Sequence, residues 1–274
     1  MAAETEATGG RRETINGLAR GLAVIKALGQ LGTAGNLTEI AQAAQLHAAV
    51  ARRCLHTLED LGYVGRAGRR FFLRPRILEL GTAYLDAVDS EALVRDYLSE
   101  IVAQSGHSSS LTVLDGHDIV YLAHVGPRRV LRLEASVGTR YPAYPTSMGR
   151  ALLSGLPDDQ IRRYVETAEI RQLTRFTVTD PERLVTSIRR AREDGFSCVE
   201  DELAIGVIAI AVPVFDRTGR VVASINCSAQ SGETGCEELV SRHLPLLREV
   251  AARISSALAH IPGLSDGHRP AGAP

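Results

Sequence analysis

The chain has 274 residues, enough for about two domains, and its 45% hydrophobic and 23% charged residues are typical of a folded protein. No apolar run reaches the ~20 residues that span a bilayer, and the N-terminus lacks the apolar core of a secretory signal. We therefore expect a cytoplasmic protein without a membrane partner. The net charge of −1 does not by itself indicate a nucleic-acid-binding protein.

The charge is unevenly distributed along the chain. Residues 1–80 hold eleven basic and seven acidic side chains, a net charge of +4, which leaves −5 for the remainder. A basic N-terminal segment joined to an acidic C-terminal one favours DNA at one end of the molecule and a different partner at the other.

Residues 37–73 carry two short helical patterns followed by a hairpin pattern. Thr38 stands where a helix N-cap is expected, and a second helix, about residues 48–61, ends before Gly62, which suits a left-handed conformation. Two short strands then flank a basic turn at residues 65–69. This order is typical of a winged helix-turn-helix DNA-binding domain. The expected DNA contacts are Thr38, His47, Ala48, Ala49, Arg52, Arg53, Arg66, Arg69 and Arg70.

Helical patterns also surround this segment. Asn16 is expected to cap a first helix at residues 17–31, which would pack behind the helix-turn-helix. After the wing, a helix over residues 76–88 would connect two domains and offer an apolar side to a second subunit. A further helix is expected at residues 91–104.

The C-terminal region changes to alternating patterns. Strands are expected at residues 108–114, 119–125, 130–137, 196–200, 207–215 and 221–228. Helices are expected from residue 146, at residues 158–168, at 181–194 with Asp180 as N-cap and Pro181 at the first position, and at 237–259. This order predicts an α+β domain in which helices cover one face of the sheet and a small molecule lies on the other.

The four cysteines, Cys54, Cys198, Cys227 and Cys236, lie far apart and lack the spacing of zinc ligands. We expect them to be reduced thiols and not a disulfide framework. No metal site and no cofactor are expected.

One stretch resembles hydrolase chemistry, because serines and His107 in residues 105–110 precede Asp115, His117 and Asp118. No G-x-S-x-G motif occurs, however, and the same residues suit a tight hairpin turn. The acidic run at residues 200–202 has no histidine at ligand spacing. We therefore expect no catalytic residues. Two alternatives stay open: a small-molecule enzyme with a winged-helix dimerisation module, and a DNA-binding protein with a non-functional pocket.

The chain resembles the IclR family of bacterial transcription regulators over about residues 17–261. The stretches that carry the resemblance include LTEIAQAAQL, VGTRYPAYPTSMGRALL, TVTDPERLVTSIRRAREDGFSCVEDELAIGV and IAVPVFDRTGRVVASINCS. Within the family, the resemblance is greatest to regulators of aromatic-acid catabolism, including those for protocatechuate and 4-hydroxybenzoate.

The resemblance implies a fold, partners and a domain order. It implies a winged-helix DNA-binding domain, a linker helix and a GAF-like effector-binding domain, assembled as homodimers or dimers of dimers on operator DNA, without catalysis. The expected bounds are a disordered tail at residues 1–15, the DNA-binding domain at 16–76, the linker helix at 77–92, the effector domain at 93–261 and a second tail at 262–274.

The resemblance also implies an effector pocket, carried over by position. Its expected residues are Ser147, Met148, Asp201, Glu202, Ile208, Ala209, Ser224, Asn226 and Ser228. The chain departs from the family pattern in three places: the recognition helix, where DNA contacts are affected, the pocket, and the tail beyond Ile261, which has no family counterpart. Residues 45–48 replace the family's usual Gly-Leu-Ser-Arg start of the recognition helix. Ile208 and Ala209 stand where relatives commonly have arginine followed by serine or cysteine, so a less acidic effector, or another arginine such as Arg132 or Arg140, is implied.

Overall fold

The structure is a computed structural model that describes residues 15–32, 34–81, 91–127 and 136–258. The chain divides into two compact units, Met1–Tyr84 and Leu85–Pro274. Much of the expected linker helix, Arg132, most of the expected strand at residues 130–137, and both tails lie outside the described residues. None of the described helices combines the length and the apolar character needed to cross a membrane.

The N-terminal unit is a small helical domain with a three-stranded sheet. Its order is α1 (Asn16–Gln30), β1 (Gly35–Asn36), α2 (Leu37–Ala43), α3 (Ala48–Asp60), β2 (Val64–Ala67), β3 (Arg70–Leu73) and a 3-10 turn (Pro75–Leu78). The strands pair in the order β1-β3-β2, so the expected hairpin gains a third strand. Gly62 has a positive φ of 80°, which confirms that it adopts the left-handed conformation after α3.

Two of the expected helix caps are wrong. The residue that caps α2 is Asn36, whose Oδ1 accepts hydrogen bonds from Thr38 N at 2.9 Å and Glu39 N at 3.0 Å. Glu39 Oε2 accepts in return from Asn36 N at 2.8 Å, which completes a capping box. Thr38 therefore lies inside the first turn of α2. Asn16 is likewise the first residue of α1, and Ile15 precedes it without a side-chain cap.

The core of this unit forms where three helices meet the wing. Val24, Leu28, Ile40 and Leu55 are almost completely buried, and Phe71 of the wing packs with them. Burying each large aliphatic side chain contributes about 1.5–3 kcal/mol. Because Ala51, Leu55 and Leu58 form the buried stripe of α3, the residues between them face outward.

The C-terminal unit contains one antiparallel sheet of six strands in the order β6-β5-β4-β9-β8-β7. These strands are β4 (Ser109–Asp115), β5 (Asp118–Val125), β6 (Arg140–Pro142), β7 (Ser197–Glu200), β8 (Val207–Phe215) and β9 (Val221–Gln230). The helices are α4 (Glu91–Ser105), α5 (Ser147–Leu153), α6 (Asp158–Thr167), α7 (Pro181–Asp194) and α8 (Cys236–Leu258). The sequence did not predict β6.

Helices cover both faces of this sheet, so the expectation of one open face is wrong. On one face, Ile210 and Ile225 belong to a core that α4 and α8 complete with residues such as Leu98 and Leu247. On the other face, the residues of α5, α6 and α7 form a second core with residues such as Ile119. The sequence pattern indicated these helices but not that they would return to the free face.

Cys198 and Cys236 form a disulfide with a Cα–Cα distance of 6.2 Å, so the expectation of four reduced thiols is wrong. The two residues are 38 positions apart in the sequence, and the fold brings them together by placing β7 beside the start of α8. Cys54 and Cys227 are free thiols, as expected.

Candidate functional site

The outward face of α3 carries two unpaired arginines. Arg52 and Arg53 are exposed, and neither guanidinium makes a hydrogen bond or an ion pair with any described residue, although Arg53 also lines a groove beside α1. Extended guanidinium groups on one face of a helix can reach phosphates or the O6 and N7 atoms of guanine in a major groove. His47, Ala48 and Ala49 at the start of the same helix are also exposed.

The arginines of the wing differ in their freedom to reach DNA. Arg70 donates to Ala34 O at 2.5 Å and lies 3.6 Å from Glu39. Arg66 donates to Gly68 O at 2.9 Å, and its guanidinium lies 5.6 Å from the centre of the Phe71 ring. Arg69, at the tip of the hairpin, has no such partner among the described residues. Arg69 is therefore the wing residue best placed to contact a phosphate.

The start of α3, which departs from the family pattern, has no side-chain cap. His47 occupies the N-cap position of α3 but makes no side-chain cap. Gln45, in the preceding turn, has a positive φ of 54°, which is uncommon for a residue with a side chain. The missing serine thus leaves the first amides of α3 without a side-chain acceptor.

The C-terminal unit holds a small cavity of about 50 Å³ between β8, β9 and the start of α5. Most of its wall is apolar, and polar residues line it from four segments: β5, the start of α5, the turn after β7, and β9. The lining residues are Tyr121, Pro145, Thr146, Ser147, Met148, Val199, Glu202, Leu203, Val207, Ala209, Asn226 and Ser228.

A buried ion pair supports one wall of this cavity. Arg150 Nη2 lies 2.7 Å from Glu202 Oε2, and both side chains are less than a tenth exposed. Arg150 Nε also donates to Tyr144 O at 3.0 Å, and Glu202 Oε2 accepts from Val178 N at 2.9 Å. The charge of Arg150 is therefore neutralised inside the protein. Oε1 of Glu202 makes no hydrogen bond with the described residues and remains able to accept one.

Three neutral hydrogen-bond donors of the cavity wall also lack partners among the described residues. They are the hydroxyls of Ser147 and Tyr121 and the Nδ2 group of Asn226, whose Oδ1 accepts from Ser110 N at 2.8 Å. Burial raises the pKa of the Tyr121 hydroxyl, so it stays protonated and can donate. Ser147 is only 2% exposed and lines the cavity, where a bound group can accept a hydrogen bond from its hydroxyl.

Sequence models of two domains match the chain. The model for the C-terminal domain of bacterial IclR transcriptional regulators matches residues 82–256, and the IclR helix-turn-helix model matches residues 17–68. The chain belongs to the IclR family. As an IclR-family protein it is a DNA-binding transcriptional regulator and not an enzyme, which confirms the expected fold class and function class.

Three similar proteins share its domain organisation or its C-terminal unit. The Pca regulon regulatory protein of Pseudomonas putida is 38% identical over 239 residues, which cover 87% of this chain and 82% of that protein. The p-hydroxybenzoate hydroxylase transcriptional activator of Acinetobacter baylyi is 33% identical over 242 residues, covering 86% and 89%. A crystal structure of a double mutant of the Acinetobacter PobR inducer-binding domain with 3-hydroxybenzoic acid is 31% identical, with a TM-score of 0.57, and covers 60% of this chain and 97% of that one.

Six of the nine expected effector residues of this IclR-family chain line the cavity: Ser147, Met148, Glu202, Ala209, Asn226 and Ser228. The other three do not. Ile208 is fully buried in the core beneath α4 and α8, because alternation along β8 points it away from Ala209. Asp201 Oδ1 instead accepts from Gly206 N at 2.7 Å and from Ser231 Oγ at 2.8 Å, which holds a turn.

Ser224 is the third residue outside the cavity. Its hydroxyl lies 3.0 Å from Thr112 Oγ1 and donates to Met148 O at 3.2 Å, so it ties β9 to β4 and α5. Arg140, the other arginine expected to bind an effector carboxylate, is already paired with carboxylates of the protein. Arg140 pairs with Asp115 at 2.6 Å and with Asp118 at 3.2 Å on the surface.

Tyr121 and Arg150 were not among the residues expected at this site from the sequence. A signal for Tyr121 existed, because alternation along β5 places it on the same face as Ile119, but no sequence pattern relates β5 to β9. Arg150 lies within the YPTSMGR stretch that carried the resemblance, and its pairing with Glu202 across 52 residues follows only from the fold.

The serine- and histidine-rich stretch is structural in this regulator. Asp115 and Asp118 pair with Arg140, and His117 Nε2 lies 2.9 Å from Thr167 Oγ1. Neither of these two carboxylates is thus available to orient a histidine beside a serine, as a hydrolase would need. Within the described ranges, no group of three or more histidine, cysteine or acidic residues could hold a metal ion.

Proposed function

We propose that the effector of this regulator is a hydroxylated aromatic acid bound in the C-terminal cavity. The observation that carries the proposal is the set of unpartnered polar groups there: three neutral donors, Ser147, Tyr121 and Asn226, and one acceptor, Glu202 Oε1. A carboxylate accepts hydrogen bonds from the donors, and a phenolic hydroxyl donates to Glu202. The names of the p-hydroxybenzoate activator and of the 3-hydroxybenzoic acid complex support this class.

The apolar part of the wall fits the aromatic ring of such a molecule. Met148, Leu203 and Val207 supply flexible or aliphatic surface beside the polar groups. The cavity of about 50 Å³ is smaller than the roughly 300 Å³ of an ordinary ligand site, so its wall must move outward when the effector enters. Effector binding is therefore coupled to a change in the shape of the unit.

A panel of four compounds tests this chemistry on the full chain. Fluorescence anisotropy of labelled DNA from upstream of its own gene measures operator affinity with 4-hydroxybenzoate, 3-hydroxybenzoate, benzoate or 4-hydroxybenzamide. We expect a hydroxybenzoate to change operator affinity about 5- to 150-fold, the range of ordinary allosteric coupling. Benzoate lacks the group that Glu202 would accept and should act more weakly. No effect of either hydroxybenzoate contradicts the proposal.

A neutral hydroxyaromatic compound is the second candidate effector. Arg150 is the cation beside the cavity, and it is already paired with Glu202. This pairing favours a neutral effector over a charged one. A response to 4-hydroxybenzamide without a response to 4-hydroxybenzoate would select this candidate.

Two serines of α5 and its C-cap provide a matched pair of variants. Ser147→Ala removes a donor from the cavity and should weaken effector binding about tenfold or more, since a hydrogen bond to a charged group contributes ~1.5–3 kcal/mol. Ser154→Ala removes a buried hydroxyl that donates to Ala151 O at 2.7 Å and does not line the cavity. It should leave effector affinity unchanged. A bulky Ser147→Leu should abolish the response and preserve DNA binding. Equal effects of Ser147→Ala and Ser154→Ala would remove Ser147 from the site.

We propose that α3 reads the operator through Arg52 and Arg53, with Arg69 on a neighbouring phosphate. Arg52→Ala and Arg53→Ala should each weaken operator binding by about 1–3 kcal/mol. Arg69→Ala should lower the magnitude of the slope of log affinity against log salt concentration by about one. Arg190→Ala, an exposed arginine of the C-terminal unit, is the control. Unchanged affinity in both α3 variants would refute this use of the helix.

We also propose that the regulator acts in the cytoplasm as a homodimer, or a dimer of dimers, on a palindromic operator. An apolar groove of about 690 Å³ in the N-terminal unit supports self-association, because Leu18, Leu22, Leu61 and Leu80 line it and are exposed. Light scattering during size-exclusion chromatography gives the mass directly. Leu18→Asp together with Leu22→Asp should lower it towards that of the 29.4 kDa chain.

A further inference from the structure

The disulfide between Cys198 and Cys236 fastens one wall of the effector cavity. Cys198 lies on β7, which is an edge strand of the six-stranded sheet and, among the described strands, pairs with β8 alone. Its neighbour Val199 points to the opposite face and lines the cavity. Glu202 and Leu203, in the turn after β7, line the cavity as well. The disulfide therefore holds the strand that leads into this part of the wall.

Hydrogen bonds also connect the two chain segments that the disulfide joins. Asp201 Oδ1 accepts from Ser231 Oγ at 2.8 Å, and Ser231 N donates to Gly206 O at 3.2 Å. Residues 198–201 and 231–236 thus form a ring that is covalent at one end and hydrogen-bonded at the other. This ring joins the cavity turn at residues 201–206 to the start of α8.

Cys198 and Cys236 are each only partly buried, at the edge of the core beneath α4 and α8. By contrast, the free thiol of Cys227 is completely buried, and burial raises its pKa to about 11. Cys227 is therefore a poor nucleophile and does not compete for exchange with the disulfide.

We propose that Cys198 and Cys236 are a reversible redox modification site that controls how readily the cavity opens to the effector. This inference rests on the proposed effector function of the cavity. A dithiol reductant gives two electrons and two protons to the disulfide, which yields two cysteine thiols and the oxidised reductant. In the reverse direction, a hydroperoxide oxidises one thiolate to a sulfenic acid, and the second thiol displaces water to restore the disulfide.

The direction of the effect follows from the size of the cavity. The oxidised form holds a cavity of about 50 Å³ and clamps the wall at Val199 and Glu202, so opening must strain the ring. Reduction leaves β7 held by four residues of strand pairing and the neighbouring side-chain hydrogen bonds. The wall then moves outward more easily, and the reduced form binds the effector more tightly.

The experiment compares the full chain after treatment with hydrogen peroxide or with dithiothreitol, followed by removal of the reagent. Thiol alkylation in denaturant should label two cysteines in the oxidised form and four in the reduced form. Hydrogen exchange should be at least tenfold faster in residues 198–206 after reduction and unchanged in α1 of the N-terminal unit, which is a separate compact unit. Four labelled thiols after peroxide treatment, or unchanged exchange in residues 198–206, overturns the proposal.

Effector affinity provides the second readout. Isothermal titration with the hydroxybenzoate that acts on operator binding should give at least fivefold tighter binding to the reduced form. Cys198→Ser and Cys236→Ser should each behave as the reduced form and lose their response to oxidation, while Cys54→Ser keeps it. Equal affinities of the two forms overturn the proposal. Absence of binding by every compound to both forms counts against the effector class, and hydrogen exchange then decides the redox proposal alone.

Discussion

Replacing Arg150 by methionine isolates the contribution of the buried ion pair to the stability of the C-terminal unit. The substitution keeps an unbranched apolar stem but leaves the Glu202 carboxylate with Val178 N as its remaining partner and removes the donor to Tyr144 O. Removing one partner of a buried pair costs about 3–5 kcal/mol, because a charge is left uncompensated in a poorly polarisable interior. For a unit of this size, that cost lowers the melting temperature by about 10 °C.

A double-mutant cycle on the full chain measures this coupling. Thermal unfolding followed by circular dichroism is recorded for Arg150→Met, Glu202→Leu and the double variant. Because the double variant buries no charge, we expect it to recover most of the stability that either single variant loses. Arg162→Met, which breaks the exposed pair with Glu182, is the control and should cost less than about 1 kcal/mol.

A stabilising role of the buried ion pair is refuted if Arg150→Met lowers the free energy of unfolding no more than Arg162→Met does. It is also refuted if the two single losses simply add in the double variant, since additivity means that the charges do not stabilise each other.

Three further predictions address the caps, the packing and the pH dependence. Because Asn36 is the cap of α2, Asn36→Ala should destabilise the N-terminal unit by about 1 kcal/mol, whereas Thr38→Ala should cost only a few tenths of a kcal/mol. Thermal unfolding of the two variants measures this difference. Gly149→Ala would place a Cβ 2.0 Å from Ala143 O, so it should cost up to about 3 kcal/mol in urea unfolding. Although desolvation opposes it, hydrogen bonds from the following turn lower the pKa of Asp216 from 3.8 to about 2. Its stabilising contribution is thus present above pH 4 and lost as the pH falls towards 2, and Asp216→Asn should remove this pH dependence from a series of melting curves.

The elements that the sequence predicted well are those in which local signals agree. Residues 207–215 form β8 with the expected bounds, and α7 begins with Pro181 after the expected Asp180 cap, whose Oδ1 accepts from Arg183 N at 2.8 Å. In each case the side-chain period, the cap and the flanking turn indicate the same structure. The resemblance to the IclR family, which the comparisons confirm, supplied the order of the domains.

The features that the sequence did not predict depend on contacts between distant segments. The Cys198–Cys236 disulfide and the Arg150–Glu202 pair join positions 38 and 52 residues apart, and no local pattern encodes either. The position of Ile208 is a related case. The resemblance carried two adjacent residues into the pocket, but neighbours on a strand point to opposite faces, so only Ala209 could lie there.

The alternation along β8 and β9 has a consequence for engineering a sensor from this regulator. Ala209, Asn226 and Ser228 line the cavity, whereas the residues next to them, such as Ile225 and Cys227, complete the core on the opposite face. A combinatorial library restricted to the cavity-facing positions can therefore change ligand preference while every core contact of these strands is retained.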